Sequence, residues 1–184
     1  TIKESIDLDR LVEIAKSAPK INPKTIPIWN KLNKQSVKIA VAYDEVFNFY
    51  YKENIESLEA NNAKIQYFSP LNDEGLPDVD GLYIGGGYPE LFSKELSQNS
   101  QMLRDIKQFH DESRPIFAEC GGLMYLMDAI HDDKQVGIYP YKSVLTDRVQ
   151  ALKYTVAEVQ EDNIISKKGE VFNGHEFHYS KVIV

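Results

Sequence analysis

Cysteine is nearly absent from this chain: Cys120 is the only one in 184 residues. A single thiol excludes an intramolecular disulfide framework and fits a reducing compartment. Long apolar runs are missing too, and no secretory pattern opens the sequence, so a cytoplasmic chain with no membrane partner is expected. Positive charge is in the minority, with 21 Lys and Arg against 28 Asp and Glu and a formal net charge of -7. A nucleic-acid surface needs a basic face, so no nucleic-acid partner is expected. The four histidines and one cysteine lack zinc-ligand spacing, and no metal site is expected. The run Gly85-Gly86-Gly87 is followed by neither Lys-Ser nor Lys-Thr, which excludes a P-loop. It also lacks the Gly-x-Gly-x-x-Gly spacing of a dinucleotide site.

What is present suits one compact domain with an appendage. Hydrophobic residues make up 42% and aromatics 11%, ample for a core. Asp7 can cap a helix that carries Leu8, Leu11, Val12 and Ala15 on one side, and Pro19 ends it after Ser17. Pro19, Pro23 and Pro27 then punctuate a stretch without periodicity. Residues 1–36 therefore read as a helix and linker from a preceding domain, and residues 37–184 as the folded unit. From Val37 the pattern alternates. Val37–Ala42, Ile65–Phe68, Gly81–Ile84 and Pro115–Ala118 read as strands. Helical spacing is seen in Phe47, Tyr50, Tyr51, Ile55 and Leu58, then in Met102, Leu103, Ile106 and Phe109, the latter capped by Asn99 or Ser100. Such order predicts an α/β fold with a mostly parallel central sheet. After His131 the residues alternate strand-fashion, with Lys167-Lys168-Gly169 as a turn between Ile164-Ile165 and Val171-Phe172, so the C-terminal part is expected to be antiparallel.

Cys120 stands where the Pro115–Ala118 strand turns into an apolar helical pattern through Leu123, Met124, Leu126 and Met127. Gly121 and Gly122 permit the tight junction of a nucleophile elbow. Free N–H groups at the helix start are expected to favour thiolate over thiol. The plainer reading is a buried structural cysteine. The triple glycine, at the carboxyl end of its strand, offers bare N–H groups suited to an oxyanion hole, or simply a tight turn. A cysteine nucleophile needs a base. His110 and His131 read as surface residues. In Gly174-His175-Glu176-Phe177-His178-Tyr179-Ser180, a strand would put Glu176 and His178 on one face and His175 on the other. Asp44 and Glu45 follow the first strand and either touch a substrate or simply form a charged loop.

Five runs in order then resemble one family, the glutamine amidotransferase domain of cobyrinic acid a,c-diamide synthase. They are Val41–Tyr51, Phe68–Leu71, Gly85–Leu91, Ala118–Leu126 and Gly174–Ser180. The resemblance implies a flavodoxin-like class I glutamine amidotransferase sandwich. It implies Cys120 as nucleophile and His178 as its base, with Gly86 or Gly87 and Gly121 as oxyanion donors. Related amidotransferases carry Glu two residues after the histidine; here Ser180 occupies that place, and Glu176 is the expected orienting residue. Lys153 and Asn173 replace residues usual in the family (Gly and Arg). The implied partners are glutamine, an ATP-dependent synthase domain upstream in the same polypeptide, and its corrinoid substrate. No cofactor is implied for this domain itself, with ATP and Mg belonging to the synthase domain. The same glutaminase could serve a nickel tetrapyrrole, hydrogenobyrinate or a peptidoglycan precursor. A different class of reading is a non-hydrolytic redox or chaperone protein with an elbow cysteine.

Overall fold

A computed structural model describes residues 6–21 and 36–184. The chain divides into two compact units, one containing α1 (Leu8–Ser17) and the other everything from Lys31 onward. The Arg10 N–H donates to Asp7 Oδ1 at 3.0 Å, which is the cap predicted for α1. Pro23 and Pro27, and with them most of the predicted linker, lie outside the described residues.

The larger unit is built on four parallel strands in the order β3-β1-β4-β6: β1 is Val37–Ala42, β3 Ala63–Phe68, β4 Gly81–Ile84 and β6 Ile116–Ala118. Period-2 alternation sends side chains from each strand to two cores. On one face Ile39, Val41, Tyr83 and Phe117 meet Ile55 and Leu58 of α2 (Lys52–Ala60). On the other, Ala40, Leu82 and Ile84 meet Leu96 of α3 (Ser93–Gln98) and Met102, Ile106 and Phe109 of α4 (Ser100–Asp111). Met102, Leu96 and Ile106 are fully buried, each contributing about 2 kcal/mol by burial. Asn99 is the N-cap of α4, accepting from the Met102 N–H at 3.3 Å.

The predicted helix containing Phe47 and Tyr50 begins later, at Lys52. Phe47–Phe49 forms a short strand, β2, because it pairs antiparallel with Gly86–Gly87 (β5). Tertiary pairing here overrides a local helical spacing. The helix after Cys120 is also shorter than predicted. As α5 it spans only Gly121–Tyr125, and Met127 opens β7 (Met127–Ile130).

The last third forms two further sheets. β12 (Ser180–Ile183), β9 (Tyr139–Leu145), β7 and β8 (Asp133–Lys134) lie side by side in that order. β10 (Ala151–Glu158) and β11 (Val171–His178) make an antiparallel two-stranded ribbon. Ile164-Ile165, expected in a strand, lies instead in the connecting loop. It is drawn there because it lines a cavity of roughly 330 Å³ against Ile116, Ala118 and Leu123, beside the elbow.

Candidate active site

The sheet order places β3 and β4 on opposite sides of β1, so the chain reverses its winding direction between β1 and β4. Crevices that bind ligands open at such a point, beyond the carboxyl ends of the strands. Tyr50 spans it. Its hydroxyl donates to the Ala42 carbonyl at the end of β1 and accepts from the Gly85 N–H at the end of β4, the latter at 2.8 Å. Burial raises the Tyr50 phenol well above the ordinary tyrosine range, so it stays protonated and both bonds persist. Sequence reasoning missed this residue. Its signal was the aromatic run Phe47–Tyr51, which was assigned to a helix face.

Asp44 organises the loop after β1. One oxygen accepts from the Val46 and Phe47 N–H groups at 2.8 and 3.0 Å, the other from Ser69 Oγ and the Leu71 N–H at 2.8 and 3.0 Å. It is a structural hub of the loop.

Cys120 lies beyond β6 with φ 52° and ψ -114°, a conformation that costs a non-glycine residue on the order of 1–3 kcal/mol. Its neighbours hold it there. The Glu119 N–H donates to the Ile84 carbonyl at 3.1 Å, and the Gly122 N–H donates to the carbonyls of Gly85 and Glu119 at 3.0 and 2.9 Å. A Cβ on Gly122 would stand 2.2 Å from the Ile84 oxygen, and one on Gly87 would stand 1.7 Å from the Val46 oxygen. Neither backbone can withdraw without breaking its ladder, so only glycine fits at both places. Behind the elbow, Tyr83 donates from its hydroxyl to Glu119 Oε1 at 2.6 Å, and burial followed by that carboxylate pushes its phenol up to about 12.

The cluster is tight around the sulfur. A Cβ on Gly86 would lie 3.6 Å from Cys120 Cβ, and one on Gly121 would lie 3.0 Å from the Gly87 nitrogen. The backbone N–H groups of Gly121 and Gly87 favour the anion of the sulfur. They do not prevail. Although the residue is exposed, partial desolvation raises the thiol, and the Glu90 and Glu119 carboxylates raise it further. The bias toward thiolate expected from the helix start is outweighed here: burial and two negative charges oppose it, and α5, with five residues, is too short for a strong dipole.

His178 ends β11, opposite the buried Ala151 of β10. Its Nδ1 lies 2.9 Å from the Ser180 carbonyl oxygen. A carbonyl can only accept, so Nδ1 carries the hydrogen and Nε2 of the neutral ring keeps its lone pair. Glu176, on the same face, is ion-paired across the ribbon with Lys153 at 3.2 Å, so the substitution at Lys153 and the expected orienting residue neutralise one another. Cys120, Gly86, Gly87 and Gly121 are thus brought together. Among the described residues no hydrogen bond joins His178 to them. His175 stands opposite the exposed Tyr154, on the other face as predicted. His110 is exposed at the end of α4 beside Asp111, and His131 donates its N–H to the Ser143 carbonyl at 2.7 Å. His131 also lies near enough to Glu90 for its charge to act there.

A strained cysteine at a strand–helix junction, crowded by glycine backbone, is an arrangement suited to acyl transfer. Residues 38–184 match the model of the CobB/CobQ-like glutamine amidotransferase domain. The chain belongs to this family. It is 81% identical over 183 residues to the cobyrinate a,c-diamide synthase of Methanobrevibacter smithii, covering 100% of this chain and 41% of that one. To the enzyme of the same name from Methanosphaera stadtmanae it is 58% identical, covering 98% and 40%. The chain thus spans about two fifths of the length of these relatives. Among solved structures, PurLQS from Thermotoga maritima superposes with a TM-score of 0.56 at 14% identity, covering 81% of this chain and 70% of that one, a likeness of fold. The solved structure shares the α/β architecture, and the chain is a glutamine amidotransferase domain of the CobB/CobQ-like kind. No described helix is long and apolar enough to cross a membrane.

Proposed function

We propose that this domain releases ammonia from glutamine through a thioester on Cys120, for amidation of the a and c carboxylates of cobyrinate. The observation that carries the reading is the elbow: a positive-φ cysteine with Gly86, Gly87 and Gly121 packed closely around it. Cys120 gives its proton to Nε2 of His178 and attacks the side-chain amide carbon of glutamine. The carbonyl oxygen becomes negative and is met by N–H groups of Gly87 or Gly86 and of Gly121. The imidazolium returns the proton to the leaving nitrogen, ammonia departs, and a glutamyl thioester remains. Water, deprotonated by the same imidazole, then hydrolyses the thioester to glutamate and restores the thiol.

Ser180 supports this role through its backbone. Its carbonyl fixes the ring tautomer, so no carboxylate side chain is required at that position. Glu176 is a weaker candidate for orienting the ring because Lys153 engages it.

The acceptor half belongs to the remainder of a longer polypeptide, an ATP-dependent synthase portion that activates the corrinoid carboxylates. The relatives' names and their greater length support this assignment. The present residues do not fit ATP in the P-loop manner, since the glycines are followed by Tyr88 and Pro89 and the Gly85 N–H is taken by the Tyr50 hydroxyl. The division 1–36 and 37–184, with the first part belonging to the preceding domain, is part of the same proposal. The deciding experiment supplies glutamine or free ammonia to the full-length synthase carrying Cys120→Ser. Loss of glutamine-dependent diamide with retention of ammonia-dependent diamide is expected. Equal loss of both, or retention of both, would overturn the glutaminase role.

A further inference from the structure

Glu90 is a charged group without a role in the chemistry described so far. It sits in the 3-10 turn Pro89–Leu91, immediately after the Gly86–Gly87 donors. The turn is wedged against the elbow: a Cβ on Gly121 would lie 2.8 Å from Pro89 Cδ. The turn that carries the carboxylate is therefore held against the elbow. It is half-buried, and among the described residues it has no ion pair and no side-chain hydrogen bond. Desolvation raises it above the usual carboxylate range, and its own backbone N–H offsets part of that cost.

A negative charge in this place works against catalysis in the free protein, because it opposes ionisation of Cys120. The Glu119 charge does the same, but its carboxylate is held by the Tyr83 hydroxyl. Glu90 has no such partner. What would make it useful is a cation that arrives with the substrate. Glutamine carries one, an α-ammonium group four bonds of about 1.5 Å from the reacting carbon, so roughly 5 Å away when extended.

We infer that Glu90 is the recognition carboxylate for the α-ammonium group of glutamine, an assignment that rests on the glutaminase reading above. Pairing satisfies a desolvated charge and at the same time offsets one of the two carboxylates that disfavour the thiolate. Binding the correct substrate thus eases ionisation of the nucleophile, and amides lacking the ammonium do not. Glu90 is a specificity residue in this scheme, and it takes no proton from the reacting atoms.

The test compares covalent labelling of Cys120 by three electrophiles: 6-diazo-5-oxonorleucine, its analogue without the α-amino group, and iodoacetamide. Labelling of the wild-type chain is expected to favour the amino-bearing reagent by about 30-fold, equivalent to about 2 kcal/mol, and to be blocked by glutamine. In Glu90→Gln this preference should fall to within about threefold, while iodoacetamide reacts as fast as or faster than with wild type. A variant that keeps the wild-type preference overturns the assignment while leaving the glutaminase reading intact. Should Glu90 serve only to hold the loop of His131, Glu90→Gln would lower the melting temperature and leave the preference unchanged. Wild-type labelling that glutamine does not block would defeat the glutaminase reading and this assignment with it.

Discussion

The proposed nucleophile and its proposed base are mounted on opposite kinds of structure. Cys120 stands on a junction where every neighbour is fixed by backbone hydrogen bonds, and where added methyl groups on Gly87 and Gly122 would collide with carbonyl oxygens. His178 ends a two-stranded ribbon whose outward face is bare, with Leu152 75% and Tyr154 94% exposed. A lone two-stranded ribbon is marginal in stability, whereas a parallel sheet between two cores is not. In the proposed mechanism, positional precision is concentrated where the oxyanion forms, and the proton carrier rides on the less supported element. A base tolerates this at rest, because catalytic hydrogen bonds are often long in the free protein and tighten once substrate is bound.

Several experiments would break or sharpen this contrast. The largest effect is expected at the sulfur, where Cys120→Ser should lower glutamate release by about 10⁴-fold or more with folding unchanged by circular dichroism. Changing His178→Gln should cost about 10²–10⁴ in the same assay and scarcely move the melting temperature, since the ribbon is exposed. Glycine substitutions separate the two mounts by stability. Gly122→Ala should destabilise by about 3 kcal/mol or more in thermal unfolding. Gly174→Ala on the ribbon, where a Cβ meets only Thr155 Oγ1 at 3.5 Å, should change stability by about 0.5 kcal/mol or less. Equal losses at both glycines would refute the contrast. Hydrogen exchange should find the amides of β10 and β11 opening well before those of β1 and β4. The smallest signal concerns pH. Because only thiolate reacts and the Cys120 thiol is raised, iodoacetamide alkylation should be slow at neutral pH and climb with an inflection above that of free cysteine.

Much of this was legible from residue order. The four parallel strands, the α4 helix with its Asn99 cap, the elbow and the opposed faces of His175 and His178 follow from periodicity and turn chemistry, which are local properties. The misread pieces depended on partners distant in sequence. Phe47–Phe49 became a strand because Gly86–Gly87 offered it an edge. Met127 left the helical pattern because β9 pairs with it. Ile164-Ile165 joined no ladder because β10 pairs with β11 directly. The charge state of Cys120 was not foreseeable from the glycines beside it, since it is set by Glu90 and by burial. A carbonyl ligand for the imidazole has no side-chain signature at all.

The Tyr50 hydroxyl has a consequence for how the mouth of the crevice is gauged. Between the ends of β1 and β4 the ordinary ladder has no strand-to-strand bond to give, and one phenolic oxygen takes its place, touching both rims. The gap between the rims is then set by two hydrogen bonds to a single oxygen, which ties it against drift with the twist of the sheet. Trimming that oxygen, as in Tyr50→Phe, would leave the glycine rim free to slide relative to the sulfur, turning a calibrated slot into an approximate one.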